Sequence, residues 1–295
     1  MNVNRAIPGA VVWLAATIYF KLNPIESLCL WAPLVVVPLG LELIPKGRLD
    51  SYIRPLQFSA AMFATASFAF PPGDRAALIA APWALFCGAL ATWGAIRFFS
   101  RGRRFDAVET FIDAALGMIA VGGFGLLMSR WGKHPGGFDE PIVLLTAVHF
   151  HYTGFAAPLL IGLAGRKSGP VRPVLLAGAA VVLGSPLLAA GFTLRIPILK
   201  LFAVMVIVSG LIVFAWHLVR MAVEEPRGGT RALLGIAAFS IFWGMALAGL
   251  YSVGEFRERL IVEIPAMAWS HGILNGIGFA TCGLLGARAW RTSHE

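Results

Sequence analysis

Apolar runs of about 17 to 25 residues follow one another along the chain, each closed by a short basic, polar or Pro/Gly-rich gap. Runs of that length match the thickness of a bilayer core. The pattern predicts ten membrane-crossing helices over 7–22, 25–45, 55–70, 76–99, 107–128, 141–164, 173–192, 198–219, 232–252 and 262–287. Pro71-Pro72-Gly73-Asp74 forms a turn after the third. Gly184-Ser185-Pro186 is placed to break the seventh. No internal repeat, soluble domain or low-complexity tract interrupts the series. The expected architecture is therefore all-α: a polytopic integral membrane protein forming one helical-bundle domain over 1–295. Any function must lie within the bundle or at its rims.

Composition agrees. Hydrophobic residues make up 58% of the chain, charged residues only 13%, and the mean hydropathy is +0.78. Soluble domains carry about 25% charged residues, so a soluble fold would be left with an uncovered apolar surface. The net charge of +9 does not indicate a nucleic-acid partner, because the basic residues are scattered through short loops. Their distribution sets topology instead. The side holding the N-terminus, every second loop and the C-terminus carries twice as many of the 24 Lys and Arg residues as the other. By the positive-inside rule both termini are cytoplasmic. The stretch from Ile7 to Phe20, preceded by Arg5, resembles a signal peptide in outline. Lys21-Leu22-Asn23-Pro24 follows without a small-residue cleavage site, so a retained first helix is expected. Cys29, Cys87 and Cys282 are isolated in apolar segments and imply neither disulfides nor a thiolate metal site.

Ionisable groups inside a bilayer are costly and are usually paired or functional. The run His149-Phe150-His151-Tyr152-Thr153-Gly154-Phe155 puts two histidines and a tyrosine within span 6, and His271 lies within span 10. Trp216-His217 has the look of an interfacial pair. With the assigned topology, His149 and His271 both fall roughly 12–14 Å below the outer edge, near the middle of a core about 30 Å thick. His271 shares a helical face with Asn275, and His149 with Tyr152 and Thr153. Gly272 and Gly276 have the GxxxG spacing that lets another helix approach closely. From the other side, Asp113 in span 5 reaches the level of Asn275. Such residues can also bond between helices merely to hold a bundle together.

Two chemistries suit this set. One is a metal site, with Zn, Fe or Cu on His149, His151 and His271. It requires a distorted span 6, because residues two apart on a regular helix point in different directions. The other is an acid–base pocket that needs no cofactor. There His149 and His271 are the principal catalytic groups, assisted by Tyr152, Asn275 and Asp113, while His151 braces a neighbouring helix. A substrate reaching mid-bilayer is a lipophilic small molecule, isoprenoid- or lipid-like, and isomerisation, cyclisation or hydrolysis would suit the site. A proton-coupled transporter is the third option. No Walker, dinucleotide-binding or haem-attachment motif is present. Nothing in the sequence fixes an oligomeric state.

The segments Thr146-Ala147-Val148-His149-Phe150-His151-Tyr152-Thr153-Gly154-Phe155 and Ser270-His271-Gly272-Ile273-Leu274-Asn275-Gly276-Ile277-Gly278-Phe279 resemble the YndJ-like family of bacterial membrane proteins. The resemblance implies a bacterial multispanning membrane protein and supplies no reaction; the bilayer expected for it is the bacterial cytoplasmic membrane.

Overall fold

A computed structural model describes residues 6–45, 50–102, 105–259 and 262–291. Lys46, Arg48, Arg103 and Arg104, which contribute to the charge asymmetry, lie outside the described residues. So do Arg5 and His294.

The described residues contain helices and no strand. The helical runs are α1 (Ala6–Tyr19), α2 (Pro24–Leu43), α3 (Asp50–Ser67), α4 (Asp74–Ser100), α5 (Ala107–Trp131), α6 (Ile142–Ser168), α7 (Arg172–Thr193), α8 (Pro197–Glu224), α9 (Gly228–Phe256) and α10 (264–291). Among the described residues, seven of these are long and apolar enough to cross a membrane: α2 and α4 through α9. The outward faces are apolar too. Ile7, Val11, Leu14 and Ile18 make an exposed stripe along α1, and Leu176 and Leu183 stand exposed on α7. A surface of this kind is stable against lipid and not against water.

Local chemistry sets the helix ends. Asn23 caps α2: its Oδ1 accepts from the backbone N–H groups of Ile25 and Glu26, and its own N–H donates to Glu26 Oε2 at 2.9 Å. Pro24 then occupies the first helical position, where its missing N–H costs nothing. The expected break at Gly184-Ser185-Pro186 does not occur, and α7 continues through it. Gly184 lies against Ile207 of α8, leaving too little room for a Cβ. Ser185 Oγ donates to the Val181 carbonyl at 2.8 Å. Packing and that bond outweigh the local tendency to break.

Three helices are not regular. α2 is π-helical over Ala32–Val36, α6 over Phe150–Ala156 and α10 over Leu274–Thr281. In α2 and α6 a proline, Pro38 and Pro158, follows two residues after the π segment. A proline ring cannot donate to the ladder and collides with the carbonyl four residues earlier; a wider turn ahead of it relieves both problems. No proline follows the segment in α10. There Gly278 is pressed onto Ser240 of α9, where an added Cβ would lie 2.1 Å from the Ser240 Oγ.

The chain forms two compact units. The first holds the residues up to Phe105 together with Ile112–Ala156. Within it α3 packs along α4, and the π segments of α2 and α6 touch. Its core includes the fully buried Trp83, Leu90 and Phe155. The buried Arg130 closes the α3–α4 turn by donating to the carbonyls of Ser67 and Phe70, and its guanidinium lies over the Phe68 ring at 4.5 Å. A cation at these carbonyls also complements the helix dipole. The second unit holds Asp106–Phe111 and everything from Ala157 onward. In it α8 packs between α7 and α9, and α9 packs on α10.

Candidate functional site

His149 ends the regular first half of α6, directly before the π segment. Its Nδ1 lies 2.8 Å from the Leu145 carbonyl oxygen. A carbonyl only accepts, so Nδ1 carries the proton and Nε2 carries the lone pair. The imidazole is exposed, and Nε2 has no hydrogen-bond partner among the described residues. Thr146 and Thr153 are partly exposed, and Thr146 Oγ1 donates to the Ile142 carbonyl.

His151 is arranged in the opposite way. It is fully buried, its Nδ1 lies 2.7 Å from the Ala147 carbonyl, and its Nε2 accepts from Trp83 Nε1 at 3.1 Å. Both nitrogens are engaged in the Nδ1–H tautomer. Gly122 of α5 makes room for the ring, since a Cβ there would lie 2.7 Å from Nδ1. His151 therefore fastens α6 to α4 and α5. The required distortion of span 6 is present, yet it turns the two histidines apart rather than together.

Tyr152 does not share the exposed face of His149. It is buried, and its hydroxyl donates to the Leu28 carbonyl of α2 at 2.7 Å. The shared face holds for a regular helix; the wider π turn changes the angle between positions three apart. Tyr152 thus ties the π-segment region of α6 to that of α2. Asp113 is also drawn elsewhere. Its buried carboxylate receives Arg97 Nε at 2.8 Å and Arg101 Nη2 at 2.5 Å, so it closes an α4–α5 ion-pair cluster and is not the partner of a histidine.

The second unit holds the other pair. His271 Nδ1 lies 2.8 Å from the Gly244 carbonyl of α9, giving a third Nδ1–H tautomer. Asn275 is buried, donates to the His271 carbonyl at 2.7 Å, and packs on Gly244, where a Cβ would come within 2.9 Å of its Nδ2. The close helix approach expected at this block is to α9, and it runs through Gly244 and Gly278. His149 and His271 belong to different units.

Among the described residues, no three His, Cys, Asp or Glu side chains gather as a metal would require. His151 has no lone pair left for an ion. His217, expected at the interface with Trp216, parts from it: Trp216 is exposed, while His217 is buried with Nε2 3.1 Å from Ser168 Oγ. Two residues that the sequence did not single out are Trp83 and Gly122, which hold His151. The signal for Trp83 was its indole N–H, a donor that needs a partner when buried at mid-span.

Helices throughout, seven of them long and apolar, and buried polar groups bonded between them define a polytopic all-helical membrane protein. The chain belongs to the YndJ-like family, whose description "YndJ-like protein" matches residues 27–279. It is 32% identical over 183 residues to a Bacillus subtilis (strain 168) protein named "Uncharacterized membrane protein YndJ". That match covers 62% of this chain and 33% of the relative, so the chain spans about a third of the relative's length. No solved structure matches.

Proposed function

We propose that this protein is a membrane-embedded enzyme performing acid–base chemistry on a lipophilic small molecule, by isomerisation, cyclisation or hydrolysis. The observation that carries the reading is the His149 imidazole: exposed, fixed as the Nδ1–H tautomer, and without a partner for Nε2. A neutral imidazole with an accessible lone pair is a general base, and once protonated it returns the proton as a general acid. The bond to Leu145 plays the part of the orienting group that holds the tautomer. His271, oriented likewise by Gly244, is the second candidate base. Tyr152 and Asn275 act as positioning residues at the π segments, and Asp113 holds the cytoplasmic ends of α4 and α5. The bilayer is the bacterial cytoplasmic membrane, crossed ten times with both termini inside, in keeping with the Lys and Arg asymmetry.

The test compares membrane lipid extracts incubated with the native protein and with His149→Ala in nanodiscs. The reading predicts a lipid species consumed by the native protein and spared by a variant that still accumulates in the membrane. Equal consumption by both proteins contradicts it. Transport is the second reading, favoured by three helices with irregular turns, since carriers use broken helices near their sites. It predicts uptake into proteoliposomes without chemical change.

A further inference from the structure

We infer that the ligand of His149 is a membrane-dissolved compound carrying an un-ionised hydroxyl group that donates to Nε2. The inference rests on the acid–base reading of the same side chain and names its substrate class. The bond from Nδ1 to the Leu145 carbonyl leaves Nε2 able only to accept. A bound group at that atom must bring a proton. Alcohols and phenols do so; ethers, quinones and fully ionised phosphates do not. The neighbouring Thr153 hydroxyl, partly exposed and four residues along, makes no hydrogen bond among the described residues. It can donate to the oxygen of the same ligand group, which is then both donor and acceptor. The substrate is accordingly a long-chain or isoprenoid alcohol, or an alkyl phenol, whose hydroxyl proton is the one His149 takes. For a phenol that step moves the proton from oxygen to Nε2 and leaves a phenoxide beside an imidazolium; an aliphatic alcohol is too weak an acid for this transfer, and its hydroxyl only donates a hydrogen bond to Nε2.

Solid-state nitrogen NMR of histidine-labelled protein in bilayers reads this directly. The Nε2 resonance of His149 is assigned by its loss in His149→Gln. Farnesol and a long-chain alkylphenol are each added beside their methyl ethers, which keep the shape and lack the donor. A shift of the His149 Nε2 resonance with farnesol or the alkylphenol, and none with either ether, is the expected result. The two arms separate an alkyl from an aryl alcohol. Losing one hydrogen bond should weaken binding roughly tenfold, so the ethers should need about ten times the concentration to compete. Equal shifts with alcohol and ether, or no shift with either alcohol, overturn the assignment. If turnover still depends on His149 in that event, the acid–base reading stands and only the substrate class fails. If His149→Ala turns over normally, the catalytic reading fails whatever the resonance does.

Discussion

At the scale of single residues, three histidines share one device and differ in what it leaves open. His149, His151 and His271 each give Nδ1–H to a backbone carbonyl. In His151 the remaining nitrogen is taken by Trp83, whereas in His149 it is not. Trp83→Phe should therefore leave a buried acceptor unpaired and destabilise the protein by about 1–3 kcal/mol, read as a lower melting temperature in detergent. A melting temperature equal to the native one would mean that the Trp83–His151 bond contributes nothing. Arg130→Ala removes the charged donor to Ser67 and Phe70, with a cost of about 3 kcal/mol. It should also expose the 68–74 turn to proteases, and unchanged cleavage there would contradict the capping role. The sequence made the histidines conspicuous, because imidazoles are rare in apolar runs. It could not show which one was engaged, since that depends on Trp83, 68 positions away.

At the scale of helices, the irregular turns explain both what was legible and what was not. The starts and ends of most helices follow from runs and turn residues, as with Asn23 and Pro24. The π segments at 150–156 and 274–281 overlap the two polar blocks and begin after His149 and His271, and π turns are frequently found at functional sites. Pattern reading assumes one period per helix. On that single period Tyr152 falls on the face of His149, whereas the widened turn sends it to Leu28. A break expected at Pro186 is likewise overridden by the packing of Gly184 on Ile207. The α9–α10 contact gives a sharp test. Gly278→Ala would push a methyl into Ser240 and should cost about 1–3 kcal/mol in thermal stability. Adding Ser240→Gly should recover most of that loss, and failure of the double variant to recover would place the strain elsewhere.

At the scale of the whole molecule, the membrane class was the most legible property, because it rests on composition and run length over the entire chain. The two-unit organisation was not. α5 and α6 each contribute residues to both units, and an apolar run carries no mark of where one unit gives way to the next. Whether His149 is an available base is read from the distribution of reactivity over the histidines. Diethyl pyrocarbonate acylates neutral imidazole at a free lone pair, and mass spectrometry of the protein modified in nanodiscs assigns each site. His149 should be acylated while His151, fully buried and bonded at both nitrogens, is spared until the protein unfolds. Acylation of His151 with His149 spared, or equal protection of both in the folded protein, would contradict it.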